Sequence, residues 1–241
     1  MKRFPSVFLC FLILPSANSV FAQEKSTGDY VVILHGIARS SSHMEDLGRY
    51  LQKKSYDVIN LDYPSTDYTL EQLTNLTQKK LSAKLTQDKP VHFVGYAMGG
   101  LLVRAIIHKH KPKKLGRVVL LAPPNNGSEI ADCLKENGLY QKIYDPAGQD
   151  LTTDKDITEL FGQIDYELGV IAGNSTIDLI SSAIIPGDDD GKVSIKSTKL
   201  EGMKDHIVVS ASHTFVPSNR AVHQQTEYFL KHGIFKKGSG K

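Results

Sequence analysis

The chain has 241 residues, a formal net charge of +3, 40% hydrophobic residues and two cysteines. Such a balance supplies no basic field of the kind that nucleic acid or an anionic membrane surface requires. The longest apolar run, near the N-terminus, falls far short of the roughly 20 residues that span a bilayer. Lys2 and Arg3, the apolar stretch from Val7 to Leu14 and the sequence Val20-Phe21-Ala22 together predict a secretory signal over residues 1–22, cleaved before Gln23, with the product periplasmic or secreted. Cys10 lies inside the apolar stretch and leaves with it. Cys133 then has no partner for an intramolecular disulfide and is expected to serve as a small, partly buried apolar residue. Residues 23–235 suffice for one domain and are too few for two. The Gly/Ser/Lys-rich residues 236–241 are expected to form a disordered tail.

Short apolar runs then alternate with longer amphipathic stretches, the pattern of a mostly parallel sheet with helices on both faces. Tyr30-Val31-Val32-Ile33-Leu34 is unbroken and β-branched, as a strand buried on both faces requires. Met44, Leu47 and Leu51 have helical spacing, Asp57 to Leu61 reads as a second strand, and Leu70, Leu73, Leu76, Leu81 and Leu85 mark a helix ending before Asp88-Lys89-Pro90. Val91-His92-Phe93-Val94 is the next strand, followed by a buried helix through Leu101, Leu102, Val103, Ala105, Ile106 and Ile107. Val118 to Leu121 is a fourth strand, and residues 123–165, polar and weakly periodic, form an excursion over the sheet. In that excursion Leu134, Leu139, Ile143 and Tyr144 fit a short lid, or equally a patch packed on the domain. Val170 to Ala172 and Ile207 to Val209 complete the strands, and Asn219 to His232 closes the domain as a helix.

In such a sheet ligands bind beyond the carboxyl ends of the strands. His35, Ala97, Asp190 and His213 all fall at or just past those ends and are expected to share a cleft. Gly95-Tyr96-Ala97-Met98-Gly99-Gly100 has the form of a nucleophile elbow, in which Gly95 and Gly99 relieve crowding around a strained turn. Of nine histidines, His108, His110, His223 and His232 look solvated on helices, His43 precedes a helix, and His206 starts a strand at the opposite edge of the sheet. His213, just after the last strand, is the best-placed base.

On these residues the chain resembles the α/β-hydrolase family, in particular its small bacterial lipase- and esterase-like serine hydrolases. The resemblance rests on His35-Gly36-Ile37, the elbow, Asp190-Gly191-Lys192-Val193 and Ser212-His213-Thr214, in the family's order of nucleophile, acid and histidine. Asp62-Tyr63-Pro64-Ser65 and Pro124-Asn125-Asn126-Gly127-Ser128 are similar to further family loops. It implies His213 as base, Asp190 as acid with Asp189 as the alternative, and an oxyanion hole from the N–H groups of Ile37 and Met98. Three adjacent carboxylates at Asp188 to Asp190 repel, so one should reach solvent or a cation. No cofactor is implied, and neither zinc spacing nor the spacing of an EF-hand calcium loop is present.

The nucleophile position holds Ala97. The resemblance therefore implies the scaffold of a secreted carboxylic ester hydrolase that, with alanine there, lacks acyl-enzyme chemistry. The alternative is a natural pseudohydrolase whose cleft binds an acyl ligand or a protein partner without turnover. Lipase, esterase, thioesterase and amidase differ only in the pocket and the excursion above it.

Overall fold

Tyr30–Leu34 forms the first strand, β1, and is buried along its whole length in the computed structural model of the chain. The structure describes residues 28–86, 88–153 and 158–237; the expected signal at 1–22 and residues 238–241 of the expected tail lie outside the described residues. Along β1 the side chains alternate between two cores. Tyr30, Val32 and Leu34 pack on one face, while Val31 and Ile33 pack on the other. Both faces of the strand are therefore apolar, which explains a run without polar alternation.

In chain order there follow α1 (Glu45–Gln52), β2 (Asp57–Leu61), α2 (Leu70–Ser82), β3 (Val91–Tyr96), α3 (Met98–His110), β4 (Leu115–Leu121), α4 (Glu129–Leu134), α5 (Gly138–Tyr144), α6 (Thr158–Phe161), β5 (Leu168–Gly173), α7 (Leu179–Ile184), α8 (Ile195–Thr198), β6 (Asp205–Val209) and α9 (Arg220–His232). Among the described residues the strands form one six-stranded sheet in the order β2-β1-β3-β4-β5-β6, with every pairing parallel. Parallel neighbours need crossovers, and the helices that supply them cover the two faces. Residues of α2 and α3 pack in the core that holds Val32, and residues of α1 and α9 in the core that holds Ile33. Because the order reverses direction at β1, the space beyond the carboxyl ends of β1 and β3 opens as a crevice.

Local signals set the helix ends. Thr69 and Gln72 form a reciprocal capping box that starts α2, and Asn219 caps α9, which ends at Gly233 in the left-handed conformation. Residues Met98 to Ile107 of α3 are buried without a break, so this helix is the central pillar of its layer. The excursion, expected to be weakly periodic, contains α4, α5 and α6 and a 3-10 turn at Ala147–Leu151. Helices of four to seven residues complete too few turns to show a period in sequence. Cys133 is exposed rather than partly buried, because α4 turns Ile130 and Ala131 inward instead. Lys236, assigned to the tail, is held by Gln225, whose Oε1 accepts its N–H at 2.8 Å and whose Nε2 donates to its carbonyl at 2.8 Å.

Two glycines in helices separate crowding from mere flexibility. A methyl at Gly48 in α1 would meet only side chains, at 3.7 Å and beyond, whereas a methyl at Gly99 in α3 would lie 2.3 Å from the His35 carbonyl oxygen. Gly48→Ala is expected to raise stability by about 0.5–1 kcal/mol through lost chain entropy, and Gly99→Ala to lower it by about 3 kcal/mol. Urea denaturation of the two variants checks both signs.

Candidate active site

Ala97 joins β3 to α3 with φ 51° and ψ −124°. For a residue with a β-carbon this conformation costs about 1–3 kcal/mol and persists only where the surroundings impose it. Here the Ala97 N–H donates to the Leu121 carbonyl at 2.8 Å, and its own carbonyl accepts from the Gly100 N–H at 2.9 Å. A β-carbon at Gly95 would lie 2.6 Å from Gly100 Cα and from the Gly99 carbonyl oxygen. The end of β3, the start of α3 and the end of β1 thus touch backbone to backbone. Ala97 and Met98 line a cavity of about 180 Å³ together with Ile37 and His213.

His213 follows β6 as the first residue of a 3-10 turn, His213–Ser218. Its Nδ1 lies 2.8 Å from Asp190 Oδ2. Asp190 is buried, and its second oxygen accepts N–H bonds from Lys192 at 3.0 Å and Val193 at 2.9 Å. The Asp190 carbonyl also accepts the His213 N–H at 2.8 Å, so backbone and side chain both join the two loops. With Nδ1–H given to the carboxylate, Nε2 is the nitrogen left to accept a proton. Asp189, the alternative acid, is engaged elsewhere: it accepts from Ser182 Oγ and the Gly191 N–H, both at 2.6 Å. Asp188 is exposed, as charge repulsion among the three requires.

His35 departs from expectation. It is wholly buried outside the cavity lining, with its ring stacked on Tyr63 at 4.1 Å and 12°. Nδ1–H donates to the Gly36 carbonyl at 2.9 Å, Nε2 accepts the Tyr63 N–H at 3.3 Å, and the Tyr63 hydroxyl donates to the His35 carbonyl. The imidazole therefore shapes the loop that carries Ile37 and does not reach the cleft. His223 differs as well, whereas His43 precedes α1 as expected. His223, expected to be solvated, is buried with Nε2 2.7 Å from the Pro217 carbonyl, and His43 packs at 5.4 Å against the Tyr96 ring beside the site.

Tyr96 went unrecognised in the sequence because it sits at a variable place in the elbow pattern. Its hydroxyl donates to the His213 carbonyl at 3.0 Å, and its ring lies 5.2 Å from the imidazole. Tyr140, on α5, was likewise overlooked and lines the cavity with Leu134 and Tyr144, whereas Leu139 and Ile143 face outward at 67% and 44% exposure. The wall formed by Ile130, Ala131, Leu134, Leu151 and Val193 is apolar. Among the described residues no group of three His, Cys, Asp or Glu side chains is arranged to hold a metal ion.

Burial is the main cause that depresses the His35 pKa below its ordinary value of 6.5; the Gly36 hydrogen bond and the Asp62 charge oppose it, and the nearby Lys80 charge adds a little to the lowering. A histidine held neutral in the fold but free to protonate when unfolded makes stability fall as pH drops below about 6.5. The loss continues down to the lowered native value and then levels off. His35→Gln is expected to flatten this part of the profile, measured as melting temperature between pH 7.5 and 5 against the parent chain.

A sequence profile of the family described as alpha/beta hydrolase fold matches residues 29–141, a stretch that contains the Ile37 loop and the Ala97 turn. A protein of Mycobacterium phage D29 that carries the provisional name non-heme haloperoxidase is 30% identical over 118 residues, covering 46% of this chain and 41% of its own length. The match thus spans less than half of that relative. Among solved structures, the mature form of the lipase BlEst2 of Bacillus licheniformis superposes with a TM-score of 0.73 at 20% identity, covering 86% of this chain and 92% of that one. The metagenomic carboxyl esterase MGS0156 gives 0.66 at 15% identity, covering 86% and 74%. At these identities the likeness is one of fold. The parallel sheet, the superposition on these hydrolases and the profile matched over residues 29–141 together show that the chain has the α/β-hydrolase fold.

Proposed function

We propose that the chain is an exported acyl-ester-binding protein of hydrolase descent whose site keeps base, acid and oxyanion donors but cannot form an acyl-enzyme. One observation carries this reading: His213, backed by Asp190 at 2.8 Å, lines the same cavity as a residue at φ 51° that bears only a methyl group. With serine in that place, Nε2 would take the hydroxyl proton as the oxygen attacks the ester carbonyl. Asp190 would stabilise the resulting imidazolium, and the N–H groups of Met98 and Ile37 would receive the developing negative charge. Met98 is the first residue of α3, so its N–H has no acceptor within the helix. The apolar wall supplies the surface that an acyl chain buries, and the lipase and esterase names of the superposing structures support the same substrate class.

Alanine leaves the ester no protein atom to be attacked by. Solvent water is the remaining nucleophile, and triads lacking a member retain roughly 10³–10⁴ over the uncatalysed reaction through the oxyanion hole and substrate binding. For the parent chain, hydrolysis of p-nitrophenyl butyrate is expected to be slow, without a burst, and to change little in His213→Ala. Ala97→Ser is expected to raise kcat by about 10³ or more and to make the protein labelled by a fluorophosphonate, with Asp190→Asn in that background lowering kcat again by about 10⁴. A folded Ala97→Ser protein that neither turns over esters nor takes the label would sink the proposal.

A further inference from the structure

The cavity wall carries two cations, Arg39 and Lys192, and no carboxylate. Lys192 is compensated, because its Nζ lies 2.8 Å from Asp178 Oδ2 and 3.2 Å from Ser181 Oγ. Arg39 is exposed at the rim and has no ion-pair partner among the described residues. It directly follows Ala38, a second non-glycine residue at φ 51°, where the loop leaving β1 turns sharply past Ile37. The guanidinium charge is felt at Tyr96 in the cavity wall, where it opposes part of the burial that raises the phenol pKa, and at His43 beside it, where after burial it is the next cause that lowers the pKa. An apolar wall and an uncompensated guanidinium lining one cavity fit an amphipathic ligand. A guanidinium offers paired N–H donors in one plane, a geometry that suits carboxylate and phosphate oxygens.

We infer that the cleft selects acyl ligands bearing an anionic group, a carboxylate or a phosphate, with Arg39 as the counter-charge that recognises it. This rests on the reading of the cleft as an acyl site and adds the polar end of the ligand. Arg39 lies outside the His213–Asp190 pair and is exposed, so its replacement leaves the core and the elbow untouched.

The test is calorimetric binding of octanoate, octyl phosphate and octanol to the signal-free chain and to Arg39→Ala and Arg39→Lys, at pH 7.5 and two salt concentrations. The parent is expected to bind at least one of the anions about tenfold more tightly than octanol, and to lose part of that preference at high salt. Arg39→Ala is expected to abolish the preference while leaving octanol binding unchanged, and Arg39→Lys to restore part of it. The anion that binds more tightly identifies carboxylate or phosphate as the group recognised. Equal binding of alcohol and anions by the parent, or a preference that survives Arg39→Ala, overturns the inference while leaving the acyl site standing. Failure of all three ligands to bind overturns the acyl reading and this inference with it.

Discussion

The structure depends on one backbone contact, the approach of the first turn of α3 to the ends of β1 and β3. Gly99 lies against the carbonyls of Leu34 and His35, and Gly95 lies against Gly100, at distances that admit no side chain. That closeness aims the start of α3 at the crevice beside β1 and forces the left-handed turn at Ala97. The strain is held by hydrogen bonds to the Leu121 carbonyl and from the Gly100 N–H and by the buried length of α3 behind it. None of these supports involves the side chain at position 97. The backbone of the turn is therefore set independently of the side chain it carries.

The opposite side of the site is organised by polar contacts rather than by packing. Asp190 is buried among N–H donors from Lys192 and Val193 and the imidazole of His213, so its hydrogen-bonding capacity is taken up without a cation. A carboxylate satisfied in this way can stay fixed in a buried place, and the histidine it orients stays in one tautomer. Tyr96 links the two sides, because the residue before Ala97 donates its hydroxyl hydrogen to the His213 carbonyl. Movement of the loop after β6 would thus be felt one residue before Ala97.

Much of this was legible in the sequence, for identifiable reasons. The β-branched run of β1 and the leucines of α2 carry their periods plainly, and the elbow showed itself because glycines are required where backbones touch. Asp190 was separable from Asp189 only by likeness to a family loop, and the structure places it at His213 while Asp189 binds Ser182 and Gly191. His35 misled because a histidine at a strand end looks available, whereas its environment comes from Tyr63, 28 positions along the chain. His223 was misread for a similar reason, its partner being the Pro217 carbonyl in an irregular turn. The helices of the excursion and the inward side of Tyr140 depend on tertiary packing over stretches too short to show a pattern.

The left-handed turn at Ala97 has a consequence at the level of heredity. Alanine and serine codons of the GCN and TCN sets differ by one base, and the supporting contacts are indifferent to which of the two residues they hold. A lineage carrying this chain stands a single point mutation away from placing a hydroxyl at this turn, with the same backbone contacts around it. The turn keeps that substitution open for as long as the glycines remain.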